Sequence, residues 1–289
     1  MQTQLLKAIV GMSVIFSTAN LHADDSLTQP VINSITASNG QVTLNWSGGR
    51  ASYQVQAARL FGNWVNIGAP TSNNLAVITM TNSQAYFRIV SDFTAQYQVV
   101  FNATWSQQTL PTNWPGGAAH FSGLVGGTHN ANVHFWHDGE TASEGIRLMA
   151  ELGQKTTLLN EIVPTIANGT AQFQLSGGGI SPSPGSVSLA FAQPMSRDFP
   201  LVTLVSMIAP SPDWFVGVDS LNLIENGQWV TNKVVTLYGK DAGTDSGVTF
   251  TSPDQVTLPR GVVTQFTGFP AIQNGVIVPF GTFTFTRLD

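Results

Sequence analysis

Hydrophobic and polar residues alternate over several short stretches in the first third of the chain. Val42, Leu44 and Trp46 are separated by polar residues, and the segment YFRIV at residues 86–90 closes the run. Strict alternation places every second side chain on one face of a β-strand. Segments rich in Gly, Asn and Ser lie between these stretches and supply turns. Residues 30–92 are therefore predicted to form a compact β domain.

A second alternating region follows residues 91–96, a short segment without a pattern that is typical of a hinge. Tyr97, Val99 and Phe101 alternate with their neighbours, and the C-terminal segment FGTFTFTRLD alternates again. A second domain is therefore predicted from residue 95 to residue 289.

One helix is predicted within this second domain. Ser143 is a typical N-cap, Ile146, Met149 and Leu152 recur at helical spacing, and Gly153 is a typical C-terminal stop. The remaining segments favour strands and loops. The predicted fold class is all-β, with two antiparallel β-sandwich domains and one short helix.

The first 23 residues have the organisation of a secretory signal peptide. Lys7 precedes an apolar run at residues 8–16, and cleavage is expected after Ala23, leaving residues 24–29 as an N-terminal tail. No later stretch approaches the roughly 20 apolar residues of a membrane span. The mature chain is expected to have no integral membrane segment and to be secreted, either to the extracellular space or to the periplasm.

Charge and cysteine content exclude further classes of partner and of structure. The formal net charge is −5 and no basic patch is apparent, so no nucleic-acid partner is expected. Without cysteine there is no disulfide framework.

Only 9% of the residues are charged, yet six of the sixteen acidic residues lie in one short region. These are Asp213, Asp219, Glu225, Asp241, Asp245 and Asp254.

Three of these acids are candidate metal ligands. Asp241 and Asp245 lie in the Gly-containing run DAGTDSG, and Asp213 follows the stiff segment PSP. Two carboxylates about 5 Å apart repel by roughly 3 kcal/mol at an effective dielectric of 20, and a divalent cation would relieve that repulsion. The run is not an EF-hand, because Gly243 and Ser252 stand at its third and twelfth positions. From spacing alone, aspartates that cap a solvated turn explain the pattern at least as well.

Four histidines within eighteen residues suggest a rival zinc or hydrolytic site. These are His120, His129, His134 and His137. On a strand, however, the last two would point to opposite faces, which favours a structural or surface role. No nucleophile elbow, phosphate loop or dinucleotide motif is present, and the prediction is that the protein is not an enzyme.

Two family resemblances refine these expectations. The layout GQVTLNWSGG, YQVQ, WVNIG and YFRIV in residues 30–92 resembles a small fibronectin type III-like module of the kind found in exported bacterial proteins. Such a module implies a spacer or an adhesive role.

The second domain resembles the spondin N-terminal domain of F-spondin and its relatives. The residues that carry the resemblance are FSGLVGGTHN, ASEGIRLMAELG, MIAPSPDWFVGV and YGKDAGTDSG, in that order. The resemblance implies an antiparallel β-sandwich similar to the calcium-dependent membrane-docking domain of protein kinase C. It also implies calcium bound by Asp213, Asp241 and Asp245. The absence of cysteine departs from the animal members, whose disulfides are missing here.

The function expected from these observations is adhesion or ligand recognition by an exported, calcium-binding protein. Its partner would be an extracellular protein or glycan. A secreted metal-dependent hydrolase that uses the histidines is the alternative. Peripheral membrane contact is a third hypothesis, and at this negative charge it would need calcium to bridge to anionic lipid.

Overall fold

The structure is a computed structural model that describes residues 6–9, 15–16, 29–60, 62–80 and 84–289. It divides into two compact units, Met1–Thr94 and Ala95–Asp289, and both are built mainly of antiparallel strands. The strands of the first unit are β1 Leu6–Ile9, β2 Ile15–Phe16, β3 Val31–Ser38, β4 Gln41–Ser47, β5 Tyr53–Ala58, β6 Val65–Thr71, β7 Leu75–Thr79 and β8 Gln84–Ser91.

Two sheets form the first unit. One has the order β3-β4-β7 and the other the order β2-β1-β8-β5-β6. The alternating residues Val42, Leu44 and Trp46 of the first sheet are buried against Tyr53 and Phe87 of the second. In β4 the period-two pattern thus identified the inward face of the sandwich, because Val42, Leu44 and Trp46 are buried and the residues between them are not.

Strands β1 and β2 lie within the segment that the sequence assigns to a signal peptide. Strand β1 pairs with the free edge of β8, from Leu6 opposite Phe87 to Ile9 opposite Gln84. The rest of that segment, the cleavage point after Ala23 and most of the 24–29 tail lie outside the described residues.

The second unit contains two α-helices and short connecting strands besides its two main sheets. Its strands are β9 Thr94–Ala95, β10 Tyr97–Ala103, β11 His120–Phe121, β12 Val125–His129, β13 Ala171–Ser176, β14 Gly185–Ala190, β15 Met195–Ser196, β16 Leu201–Ala209, β17 Trp214–Asn222, β18 Ile224–Glu225, β19 Gln228–Trp229, β20 Asn232–Leu237, β21 Lys240–Asp241, β22 Thr264–Gln265, β23 Ile272–Gln273, β24 Val276–Ile277 and β25 Gly281–Arg287. The helices are α1 Glu144–Leu152 and α2 Thr156–Ala167, and a 3-10 turn spans Gly116–Ala118.

The main sheets of this unit pack face to face. One has the order β14-β10-β25-β20, and the other has the order β13-β12-β16-β17-β21-β22 with β11 added beside β16. Aromatic side chains fill the space between them: Phe101 lies edge-to-face against Phe121 and Phe283, with ring centroids 4.8 and 5.1 Å apart. Edge-to-face pairs of this kind stabilise a core beyond the area that they bury.

Helix α1 confirms the helix that the sequence predicts. The Ser143 hydroxyl accepts the N–H of Ile146 at 3.1 Å, and Gly153 ends the helix with φ +66°. Ile146 and Met149 are buried against the outer face of the larger sheet. Leu152, expected on the same apolar face, is 59% exposed instead.

Helix α2 was not predicted, and the expectation of a single helix was wrong. Lys155 at its N-cap provides no side-chain hydrogen bond, and Pro164 lies inside it, so its local signals are poor. Tertiary contacts stabilise it instead: Leu158 and Ile162 are buried in the core below α1. Within the described ranges, neither helix is long and apolar enough to cross a membrane.

Candidate metal centre

Asp213 lies in the turn that joins the central strands β16 and β17. The Ser211 hydroxyl accepts the N–H of Trp214 at 3.1 Å and donates to the carbonyl of Ile208 at 2.5 Å, which fixes the turn. Asp213 itself is fully buried, with 0% exposure. Local turn chemistry therefore directs a carboxylate into the interior, where an ionised acid needs compensating partners.

One carboxylate oxygen of Asp213 accepts three hydrogen bonds, and the other accepts none from the described residues. Oδ2 accepts the N–H of Thr244 at 2.6 Å, the Thr244 hydroxyl at 3.2 Å and the N–H of Asp245 at 3.0 Å. Oδ1 is buried without a hydrogen-bond partner among the described residues. A carboxylate oxygen can accept more than one donor or bind a cation, so Oδ1 retains the capacity for a further partner.

Asp241 is held beside this turn by strand pairing. Strand β21 pairs with the start of β17, which sets Asp241 opposite Trp214, and the N–H of Ala242 donates to the Asp213 carbonyl at 3.2 Å. Asp241 Oδ1 accepts the N–H of Gly243 at 2.7 Å. Asp241 therefore lies where the β16–β17 turn meets the DAGTDSG loop.

Asp245 organises the hairpin that follows. Its Oδ1 accepts the N–H of Gly247 at 2.7 Å, and its Oδ2 accepts the N–H of Gln255, also at 2.7 Å. An isolated bridge pairs Asp245 with Val256. Both carboxylate oxygens of Asp245 therefore hold the base of a hairpin over residues 244–257, a role that carboxylates commonly have in turns.

Glycine is required at two points of this loop. Gly243 has φ +74°, and a Cβ there would come within 2.7 Å of the Gly261 carbonyl carbon. At Gly247 a Cβ would come within 2.7 Å of Pro212 and 2.8 Å of Ser252. The loop can close over the β16–β17 turn only because both positions lack a side chain.

Burial and neighbouring negative charge raise the pKa of two of these acids, Asp213 and Asp241. Burial, followed by the nearby charge of Asp241, raises the pKa of Asp213 to about 6, against the lowering effect of the Thr244 and Asp245 amides. Burial is also the main cause that raises the pKa of Asp241; the Gly243 N–H opposes it, and the charge of Asp245 adds to it. Ionisation of Asp213 and Asp241 therefore costs free energy, and a bound cation would offset that cost.

The structure places the three predicted residues in one loop cluster but gives them different contacts. Across the described part of the chain, no three His, Cys, Asp or Glu side chains are arranged as a ready metal-holding group. Asp213 and Asp241 each accept backbone N–H groups on one oxygen, whereas Asp245 does so on both. Sequence reasoning missed Thr244, whose N–H and hydroxyl both reach Asp213; its place between Asp241 and Asp245 was the available signal.

The four histidines do not converge on one site. His129 is buried, with Nδ1 donating to the Asn130 carbonyl at 2.9 Å and Nε2 2.8 Å from the Thr203 hydroxyl, and burial lowers its pKa. His120 lies 2.7 Å from the Ala118 carbonyl. The cluster is therefore divided between the interior and the surface.

His134 and His137 lie in a loop rather than on a strand, so the expectation of opposite faces does not apply. Their ring centroids are 6.0 Å apart. His134 pairs with Glu140 at 2.8 Å, and His137 pairs with Asp219 at 2.6 Å. The hydrogen bond and the charge of Asp219 raise the pKa of His137. Each imidazole has its own carboxylate partner.

The fold and this loop cluster define a class: an antiparallel β-sandwich domain with two helices on one outer face and buried aspartates where the central strands turn. Comparison with known proteins gives the family. A sequence model of Spondin_N matches residues 95–275. The chain belongs to the spondin N-terminal domain family.

Several curated relatives resemble the chain. Spondin-2 of Rattus norvegicus is 35% identical over 207 residues, 67% of this chain and 62% of that protein. Spondin-2 of Homo sapiens is 37% identical over 176 residues, 60% of this chain and 53% of that protein. Spondin-1 of Rattus norvegicus is 35% identical over 197 residues, 65% of this chain but only 24% of that protein. The chain thus spans less than two thirds of the length of each of these three relatives.

Proposed function

We propose that this is an exported, calcium-binding spondin-domain protein that acts in adhesion or ligand recognition outside the cell, and that it is not an enzyme. The observation that carries the calcium proposal is the buried Oδ1 of Asp213, which has no hydrogen-bond partner in the described residues. The raised pKa of Asp213, about 6, supports the same proposal because burial and the nearby charge of Asp241 both disfavour the ionised carboxylate.

Calcium fits the donor set. The candidate ligands are the carboxylates of Asp213, Asp241 and Asp245, all hard oxygen donors, with backbone carbonyls and water available to complete the shell. The bound ion would supply two positive charges. The chain's own contribution is to hold the β16–β17 turn against the 244–257 hairpin through Asp213 Oδ2.

Calcium titration of metal-free protein by calorimetry tests this proposal. We expect a single site that is lost in Asp213→Asn and weakened in Asp241→Asn and Asp245→Asn. Asp254→Asn is the matched control, since Asp254 is an exposed acid in the same hairpin. Absence of calcium binding to the unsubstituted protein, or equal loss in the Asp254 control, would show that the site is assigned wrongly.

The adhesive role rests on the predicted export signal, on the family and on the first unit, which we propose is a fibronectin type III-like spacer or adhesive module. Its test is a binding screen against matrix proteins and glycans, with calcium and with chelator. A saturable partner whose binding depends on residues of the second unit supports the role. A screen without any partner, together with catalytic turnover of a secreted substrate, would favour the hydrolase alternative.

A second candidate function, calcium-dependent docking on anionic lipid, has one observation in its favour. The hairpin that closes the acidic cluster and the residue after it carry exposed apolar side chains, namely Val248, Val256 and Leu258, the last of which is 81% exposed. Liposome sedimentation tests it: Leu258→Asp should abolish calcium-dependent binding, and Val234→Asp, an exposed valine on β20, should not. Binding that ignores calcium would contradict this candidate.

A further inference from the structure

A cavity of about 360 Å³ opens in the first unit where strands β5, β6 and β8 come together. Its wall is mostly apolar. It is formed by Ala57, Ala58, Arg59, Leu60, Asn63, Val65 and Ala85. Ala85 lies near the start of β8, so the cavity adjoins the N-terminal half of that strand.

The same half of β8 is the edge that β1 covers. On one side β8 pairs with β5, and on the other it pairs with β1, with Ala8 opposite Ala85 and Lys7 opposite Tyr86. In the described part of the chain no other strand pairs with this edge. Ala85 is therefore shared by the cavity wall and the edge that receives an added strand.

The strand on this edge lies in the segment expected to leave with the signal peptide. A chain that begins at Asp24 would have no β1, and the backbone N–H and C=O groups along the edge of β8 would lose their partners. Unpaired edges of this kind are templates for an added strand. Where a pocket adjoins such an edge, backbone hydrogen bonds supply affinity and the pocket supplies specificity.

We propose that the edge of β8 and its adjoining cavity form a docking site, in the mature chain, for an extended apolar segment of a partner protein. The segment runs antiparallel to β8, as β1 does, and places an apolar side chain in the cavity. Leu6–Ile9, with sequence LKAI, shows the backbone pairing that such a segment would make with β8. The inference depends on removal of residues 1–23 and is independent of the calcium proposal.

A fluorescent peptide with the sequence of residues 4–11, QLLKAIVG, is the probe. We expect saturable binding to the chain that begins at Asp24, followed by fluorescence anisotropy. A peptide with proline in place of both Lys7 and Ala8 should not bind, because proline lacks the N–H that pairs with a strand edge. The chain of residues 1–289, whose edge already holds β1, should bind the peptide much more weakly.

Variants of the protein test the cavity separately. Val65→Asp places a charge in the apolar wall at a residue that is 63% exposed, so the fold should tolerate it while the peptide Kd rises by about ten-fold or more. Val77→Asp is the matched control, a valine 55% exposed on β7 of the opposite sheet. Thermal melts of both variants verify folding.

Three results would overturn the proposal. The first is no peptide binding to the chain that begins at Asp24, and the second is equal binding of the proline-containing peptide or equal weakening by both valine variants. The third is a stable dimer of the mature chain that the peptide does not dissociate, which would show that β8 pairs with a second copy instead.

Discussion

Replacing Asp213 by Asn should stabilise the metal-free protein at neutral pH, although it removes a candidate calcium ligand. The amide oxygen can still accept the Thr244 and Asp245 N–H groups that Oδ2 accepts. The amide nitrogen presents donors where Oδ1 has no partner in the described residues, close to the negative charge of Asp241. The substitution therefore keeps the contacts and removes the buried charge.

The magnitude follows from the pKa of Asp213. Its rise from 3.8 to about 6 means that ionisation in the folded state costs about 3 kcal/mol more than in the unfolded chain. Because the folded pKa is raised, the stability that the protonated form contributes is fully present below pH 3.8 and is lost as the pH rises through 6. Asn keeps that contribution at every pH.

Urea unfolding of metal-free wild type and Asp213→Asn at pH 4 and pH 7.5 measures the effect. We expect the variant to exceed wild type by up to about 3 kcal/mol at pH 7.5 and to match it at pH 4. With about 1 mM calcium, wild type should gain roughly 1.4 kcal/mol for a Kd near 10⁻⁴ M, and the variant should gain nothing. A variant less stable than metal-free wild type at pH 7.5 would refute the reasoning.

Three further changes test other parts of the fold. Because burial lowers the pKa of His129, wild type should lose stability as the pH falls below 6.5, and unfolding of His129→Asn should depend less on pH in that range. Glu161→Gln should lower the free energy of unfolding by about 1–3 kcal/mol, because Glu161 bonds Ser143 and an α1 backbone N–H at 2.7 Å each; thermal melts measure this. Gly243→Ala should destabilise the protein by about 1–3 kcal/mol and weaken calcium binding in calorimetry, whereas Gly268→Ala, with open space at its Cβ position, should change neither.

The parts of the fold that the sequence predicts are those with local causes. Strand positions in both units follow from alternation, and α1 follows from Ser143 and Gly153, which bond to their own neighbours in the chain. Helix α2 has no such signals, and its stability comes from Leu158 and Ile162 packing under α1. That packing depends on contacts which no local pattern records.

The candidate site likewise has parts that the sequence predicts and parts that it does not. Scarcity and clustering of acids, together with the family motifs, singled out Asp213, Asp241 and Asp245. The donation of Thr244 to Asp213 could not be predicted, because it joins a strand turn to a loop 31 positions further along the chain. Nor could the sequence show that the Asp245 carboxylate is bound by backbone donors of its own hairpin.

The contact between Glu161 and the start of α1 has a consequence for how the second unit can be divided. In the first turn of α1, the backbone N–H of Gly145 donates to Glu161, a side chain on α2 that lies 16 positions away. A fragment that ends between the helices would keep the Ser143 cap but would leave the Gly145 N–H without the Glu161 carboxylate. Deletions, circular permutations or fusion joints placed at residues 153–155 should disrupt both helices together, so chain breaks for engineering this domain belong elsewhere.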